Sequence, residues 1–252
     1  MKLLHLILTI FILIVAFTTN ISAENFNTKL KGFGGFILSA VYNPSMSDIN
    51  STLESYGFNR VGDVSFGLGG MGFGIVKDKF LIGGTGIGIL PYSTEAKING
   101  TNIIAEIGGG YGFFELGYNV TSESSFILSP MLGIGGGSTM LNFSVKDRGT
   151  LDFDTVVKNP VSREFSVFYG GFGIELGFLV FGNWEIFKDV REWGALKVES
   201  TSSIGLGFKI SYVYIFGIND IHVINEPSYS GHNVFASFLV AFGGSTSVST
   251  NN

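Results

Sequence analysis

Paired glycines recur through this chain, and each pair lies inside an apolar, aromatic-rich run. Glycine weakens a flat strand by roughly 0.5–1 kcal/mol relative to alanine, so a cluster in nearly every apolar run requires a structural reason. Curvature is such a reason, because bulges and close backbone approach accompany a sheet that rolls up into a barrel. The pattern therefore predicts an all-β fold with a strongly curved sheet. The glycine clusters lie at residues 34–35, 69–70, 83–84, 108–110, 135–137, 170–171 and 243–244.

The first residues have the pattern of an exported protein. A basic start at Met1-Lys2 precedes an apolar stretch over residues 3–17 and a short polar region that ends at Ala23. The apolar stretch is short for a membrane span, and small residues at its exit are typical of a cleavage site. We therefore expect a signal peptide at 1–23 and a single mature domain over 24–252. An uncleaved membrane anchor is the alternative.

The composition excludes several classes of protein. Cysteine is absent, which excludes a disulfide framework and a thiolate metal site. The formal net charge of −5 argues against a nucleic-acid partner, which requires a basic face. Charged residues make up 14% of the chain, against about 25% in ordinary soluble domains. That is too little charge to cover the surface of a soluble protein of this size.

Alternation of apolar and small or polar residues predicts about eight strands. Most are longer than globular strands and suit a tilted membrane strand, which needs about 9–11 residues in the hydrocarbon. Long and short connections alternate, as in outer-membrane barrels, except that 182–200 is too long for a short turn. The exact strand number, eight or ten, stays open for that reason. The predicted strands are 31–42, 63–76, 80–91, 102–114, 126–145, 165–181, 201–216 and 232–243.

Two connections, 45–57 and 184–193, have apolar residues at helical spacing. The second contains Trp184 and Trp193, and amphipathic segments with tryptophan fit the membrane–water interface. We therefore predict short helices in these loops, with Trp184 and Trp193 as interfacial aromatic residues. The alternative is that each helix only caps an end of the barrel.

The ionisable residues of three predicted strands share a face with glycines. Glu175 lies on the side of Gly173 and Gly177, and the same pattern assigns Lys209 and Glu106 to glycine-bearing faces. The opposite faces are almost wholly apolar, and an arginine or lysine facing lipid at the midplane costs about 2–4 kcal/mol. We therefore predict that Glu106, Glu175 and Lys209 face the lumen. Glu175 and Lys209 lie on adjacent predicted strands, where they either pair or each point into lumenal water.

With its leader, alternating strands and asymmetric loops, the chain resembles small bacterial outer-membrane β-barrel proteins. The resemblance covers residues 31–244 and implies a closed antiparallel up-and-down barrel in the outer membrane. It also implies outer-membrane lipid and the barrel-assembly machinery as partners. Such proteins commonly end on an aromatic residue, whereas here Phe242 is followed by a polar tail at 245–252.

No catalytic, cofactor-binding or metal site is predicted. The glycine run at 133–139 lacks the lysine of a phosphate-binding loop. The expected function is that of an outer-membrane barrel of structural or small-solute transport type, without catalysis. The alternative is a secreted or periplasmic soluble β-barrel that binds an apolar ligand. The pattern identifies neither a solute nor a loop-binding partner.

Overall fold

The computed structural model describes residues 28–121, 126–145, 164–193, 196–218 and 230–250. The predicted signal peptide lies outside the described residues. The described residues contain eight long strands and helix α1. Their bounds are β1 Thr28–Tyr42, α1 Met46–Ser55, β2 Val64–Val76, β3 Phe80–Ile98, β4 Thr101–Tyr118, β5 Phe126–Val145, β6 Glu164–Trp193, β7 Leu196–Ile218 and β8 His232–Thr250.

Each strand pairs antiparallel with its neighbour in sequence, and β8 pairs with β1, so the sheet closes on itself. This confirms the predicted closed up-and-down barrel. The pairing registers, followed once around the ring, lead from Lys31 to Val41, a stagger of ten residues. Eight staggered strands leave an interior just wide enough for side chains to fill.

Two tight turns have the left-handed backbone of favoured hairpin connections. Asn99 and Gly100 join β3 to β4 with φ of 48° and 83°. Lys77 and Asp78 join β2 to β3 with φ of 51° and 56°. Positive φ at both central residues matches the right-handed twist of the flanking strands. Asn-Gly is a dipeptide that favours such a two-residue hairpin turn, because both residues tolerate positive φ.

Helix α1 closes the barrel at the end where β1 stops. Met46, Ile49 and Leu53 lie on one face of the helix and are buried. They pack into an apolar cluster with inward-facing residues of β3, β4, β5 and β6. The Asn50 amide donates to the Val61 carbonyl at 2.8 Å and accepts from the Val61 N–H at 2.9 Å, which fixes the returning chain. The helix predicted within 45–57 is confirmed, and it caps the barrel.

The helix predicted over 184–193 is wrong, because this segment continues β6 to Trp193. It pairs with β7 from Trp184↔Ile204 to Trp193↔Leu196, with a register shift between Glu185 and Phe187. That irregularity places Trp184 and Phe187, three residues apart, on the same face of the sheet. A spacing of three thus imitates helical periodicity, while the ladder to β7 supplies the backbone hydrogen bonds.

The pairing of β5 with β6 stops at Phe126↔Gly182, where β5 begins. At this end of the barrel, β6, β7 and β8 continue beyond that pair. The continuing residues, 183–193 of β6, 196–205 of β7 and 241–250 of β8, form the lower extension. Residues 245–250 of the predicted polar tail are therefore strand, paired with the start of β7. Their sequence is polar, as expected, but the adjacent strand supplies a ladder that periodicity within the tail does not reveal.

A second extension lies at the opposite end, beyond the last β2–β3 pair at Gly67↔Ile89. It comprises 90–98 of β3, 101–109 of β4, 139–145 of β5 and 164–169 of β6, and we call it the upper extension. Helix α1 packs against its inner face. Within the described ranges, no helix is long and apolar enough to cross a membrane.

Candidate functional site: a charged cluster inside the barrel

Side chains that point inward form three apolar layers along the barrel axis. The layers alternate with polar positions because every second residue of a strand faces the lumen. The lower layer includes Phe33, Ile37, Leu81, Leu179, Phe181 and Leu239; the middle layer Val41, Ile87, Tyr111, Phe113, Val213, Ile215 and Phe235; the upper layer Met46, Ile49, Leu53, Ala105, Ile107, Leu141, Val167 and Tyr169.

Between the lower and middle layers, the inward positions are polar. On β1, Ser39 follows Ile37 and precedes Val41, and its hydroxyl lies 2.8 Å from that of Ser237 on β8. At the same level β4, β6 and β7 contribute Glu115, Glu175 and Lys209, all of them buried. A single band of polar groups is thus enclosed by apolar side chains above and below.

Lys209 connects two carboxylates across this band. Its Nζ lies 2.7 Å from Glu115 Oε2 and 2.7 Å from Glu175 Oε1. Glu115 is on β4, which does not neighbour β7, so the first contact spans the lumen. In the ladder Lys209 lies opposite Leu179, and Glu175 lies opposite Val213, so the second contact runs diagonally between adjacent strands. Hydrogen bonds between charged groups in a buried site of low dielectric are among the stronger ones in proteins.

Glycines make room for the charged cluster, which we define as Glu115, Glu175 and Lys209. A Cβ added at Gly133 would lie 2.9 Å from Glu175 Oε2 and 3.3 Å from Glu115 Cγ. A Cβ at Gly177 would lie 3.4 Å from Lys209 Cε. Gly133 on β5 is therefore a steric requirement of the cluster, whereas a Cβ at Gly177 on β6 would only touch Lys209 at an ordinary contact distance.

Each carboxylate uses one oxygen for Lys209 and leaves the other without a hydrogen bond. Glu115 Oε1 and Glu175 Oε2 are buried and have no partner among the described residues. The Thr85 hydroxyl lies beside the Glu115 carboxyl and, like the two free carboxylate oxygens, has no hydrogen-bond partner among the described residues. A cavity of about 10 Å³ lies beside Thr85 and Glu175. That volume is near the size of one water molecule.

Two of the three residues predicted for the lumen lie there, and one does not. Glu175 and Lys209 belong to the cluster, whereas Glu106 is exposed on the outer face of β4. The prediction for Glu106 is wrong because β4 is oriented with Ala105 and Ile107 inward, which leaves Glu106 on the outer face. Glu106 pairs with Ser93 and Asn142 in the upper extension, among polar neighbours.

Glu115, which the sequence reasoning did not select, replaces Glu106 as the acidic residue of β4. The predicted strand ended at residue 114, one position short of it. The assumption that the glycine-bearing face lines the lumen also assigned the two faces of β4 the wrong way round. In the structure, Tyr111 and Phe113 point inward and fill the interior. The signal was present: Glu115 shares the alternation of Tyr111 and Phe113, and a small barrel packs its interior with bulky groups.

The two tryptophans lie on the outer surface, both exposed. Trp184 lies where the barrel wall meets the lower extension, and Trp193 lies at its tip opposite Leu196. On the other side of the barrel, Phe80 and Tyr118 make an edge-on ring contact at 5.4 Å. Aromatic residues thus occur where the barrel wall ends, with Trp193 well beyond that point.

The outer face of the barrel wall is apolar all round. Its glycines concentrate on β1 to β4, where Gly72 pairs with Gly34 and Gly84, and Gly86 pairs with Gly112. The expectation that glycines mark the lumen therefore holds for β6 and β7 but not for these strands. Large exposed side chains of the wall include Phe36, Leu38, Phe66, Leu68, Ile82, Phe114, Leu132, Ile134, Phe172, Leu176, Phe208, Ile210 and Phe238.

In the part of the chain that the structure describes, no group of three histidine, aspartate or glutamate side chains is placed to hold a metal ion. The cation that the two lumenal carboxylates hold is the Lys209 ammonium.

The chain aligns over most of its length with solved structures of bacterial outer-membrane proteins. The attachment invasion locus protein Ail of Yersinia pestis, in complex with the heparin analogue sucrose octasulfate, is 9% identical, with 86% of this chain and 97% of that chain covered and a TM-score of 0.41. Neisserial surface protein A is 11% identical (86% and 97% covered, TM-score 0.30). OprG of Pseudomonas aeruginosa is 13% identical (88% and 97% covered, TM-score 0.28). No family model and no curated protein sequence matches the chain.

Proposed function

We propose that this protein is an outer-membrane β-barrel of structural type, a closed membrane-embedded scaffold without catalytic activity. In this proposal the chain is exported by its leader, inserted by the barrel-assembly machinery and surrounded by outer-membrane lipid. The supporting features are the apolar outer wall, the packed interior and the polar extensions at both ends.

The observation that carries the proposal is the inversion of polarity across the wall. Phe208 is 43% exposed on the outside, while its neighbour Lys209 is 3% exposed on the inside. In water, an apolar surface that surrounds the whole barrel would far exceed the few hundred Å² that monomeric soluble proteins expose. In lipid the same surface is favourable, and closure leaves no unpaired edge in the hydrocarbon.

A structural role fits better than small-solute transport because the described interior is filled. Leu81, Leu179 and Leu239 of the lower layer are 0% exposed, and the charged cluster closes the level above them. The same packing argues against a soluble barrel with an apolar ligand. Ligand sites typically enclose about 300–1,000 Å³, whereas the cavity beside the cluster holds about 10 Å³.

Location is tested by fractionation. The protein is expressed with its leader in a Gram-negative host, the two membranes are separated on a density gradient, and mobility is compared with and without boiling. We expect it in the outer-membrane fraction, with folded and unfolded forms that migrate differently. Recovery in the aqueous fraction without detergent would contradict a membrane barrel and support the soluble alternative.

Transport is tested separately by planar-bilayer recording of the folded protein. We expect no conductance steps, because apolar layers block the lumen on both sides of the charged cluster. A general porin inserted in the same bilayer is the positive control. Regular steps from the wild-type protein would replace the structural role with a channel, while leaving the membrane location intact.

A further inference from the structure

The charge balance of the buried cluster is incomplete. Two carboxylates and one ammonium carry a formal charge of −1, and all three side chains are at most 4% exposed. An uncompensated charge in a low-dielectric interior is strongly disfavoured, and such groups take up or release protons instead. Among the described residues, the side chains around the cluster supply no second cation.

We propose that the barrel interior binds one proton at the charged cluster, shared between Glu115 and Glu175, so that the cluster as a whole is neutral. The geometry leaves a place for it. Lys209 occupies Glu115 Oε2 and Glu175 Oε1, and the remaining oxygen of each carboxylate is buried without a partner. Protonation converts one of these orphaned acceptors into a donor.

One neighbouring side chain offers an acceptor for this proton on the Glu115 side. The Thr85 hydroxyl on β3 lies beside the Glu115 carboxyl and has no hydrogen-bond partner among the described residues. A hydroxyl can accept as well as donate, so it can accept a hydrogen bond from a protonated Glu115. From β5 the cluster meets Gly133, and on β8 Ser237 lies opposite Lys209 in the ladder and bonds to Ser39 of β1; none of these ionises. Tyr111 on β4 lines the same small cavity as Thr85 and Glu175, and its hydroxyl is engaged with Thr139 and Asn233.

Infrared spectroscopy of the full protein, purified from membranes in an alkyl maltoside that has no carbonyl group, tests the proposal directly. A protonated carboxyl absorbs at higher frequency than a carboxylate, and ¹³C-labelled glutamate assigns the band. At neutral pH we expect a band equivalent to one protonated glutamate. Its absence from the wild-type spectrum overturns the proposal without any variant.

The band expected in each variant follows from the proposed neutrality of the charged cluster. In Glu115→Gln and in Glu175→Gln, the remaining carboxylate balances Lys209 alone, so either substitution should abolish the band. In Lys209→Met both carboxyls must be neutral, so the band should double. Glu106→Gln, on the exposed outer face, is the control and should leave the band unchanged.

Two outcomes would contradict a shared proton even if the wild type shows a band. Retention of the band in both single glutamine variants would place the proton elsewhere. A band unchanged in Lys209→Met would show that the two carboxyls do not respond to the lysine charge. Each spectrum is recorded on the folded form, identified by its mobility before boiling. Neither outcome depends on whether the barrel conducts solutes.

Discussion

At the scale of single residues, the charged cluster depends on its one cation. Breaking a buried pair costs more than the pair contributes, because the group left behind stays buried without compensation. Lys209 compensates carboxylates from two strands, so its loss affects both, whereas the loss of one glutamate leaves an ion pair intact. Loss of Lys209 should therefore destabilise the barrel more than loss of either glutamate.

We expect Lys209→Met to lower the free energy of unfolding by about 3–5 kcal/mol, and Glu175→Gln to lower it by less. Urea unfolding in lipid vesicles, followed by tryptophan fluorescence, measures both. Lys188→Met is the control, because Lys188 is exposed in the lower extension and its loss should change stability by no more than ~0.5 kcal/mol. Equal losses for Lys209→Met and Lys188→Met would show that the cluster contributes nothing to stability.

Gly69, which points inward, and Gly86, which points outward, have different steric surroundings. A Cβ at Gly69 would lie 1.9 Å from the Gly86 carbonyl oxygen, whereas a Cβ at Gly86 meets nothing within 4 Å. We expect Gly69→Ala to destabilise the barrel by about 1–3 kcal/mol, since the backbone itself must move. Gly86→Ala should be neutral or stabilising by up to about 1 kcal/mol, through the lower entropy of the unfolded chain. The same unfolding assay compares them, and equal effects would remove the steric explanation.

At the scale of elements, helix α1 forms its own small core with the upper extension. Ile49 is 1% exposed there, and burial of this kind is worth about 2–5 kcal/mol against alanine. We expect Ile49→Ala to speed hydrogen exchange of the helix amides while the strands of the barrel wall stay protected. Ser51→Ala, on the exposed face of the helix, is the control. Equal acceleration in helix and wall would mean that the cap and the barrel unfold as one unit.

Sequence patterns predicted the strands of the barrel wall better than the segments beyond it. On β6 and β7, an apolar outer face and an inner face of glycine and charge produce strict alternation, and both faces were assigned correctly. On β4 the alternation fails, because Tyr111 and Phe113 point inward while glycines point outward. In the lower extension the pattern of 184–193 is helical, but pairing with β7 decides the conformation. These contacts are long-range, so local periodicity does not contain them.

The candidate site was also predictable only in part, because alternation is a local pattern and the contact across the lumen is long-range. The order of the strands in the chain placed Glu175 and Lys209 on neighbouring strands, and alternation placed both on the inner face. The third member, Glu115, lies across the lumen, and which strands face each other there depends on closure and stagger. Sequence alternation gives the face of a residue but not its height along the barrel axis.

At the scale of the whole molecule, polarity divides the barrel into a wall and two extensions. The lower extension carries charge on its inner face, where Lys197 donates a hydrogen bond to Glu199 and holds the pKa of that carboxyl below its ordinary value. On its outer face, Arg191 pairs with Asp189. Charge on both faces fits water rather than lipid. In the proposed membrane location, the hydrocarbon therefore surrounds the apolar wall above this extension.

Strand β7 allows this boundary to be tested on one face of one strand. Phe208 points outward from the wall, and Ser200, on the same face, lies in the lower extension opposite Thr246. An arginine on the lipid face costs about 2–4 kcal/mol near the midplane and about 0–1 kcal/mol near or beyond the interface. We therefore expect Phe208→Arg to reduce the free energy of folding into vesicles by several times more than Ser200→Arg. Equal costs at the two positions would mean that the hydrocarbon does not end between them, and the proposed position of the barrel in the membrane would be wrong.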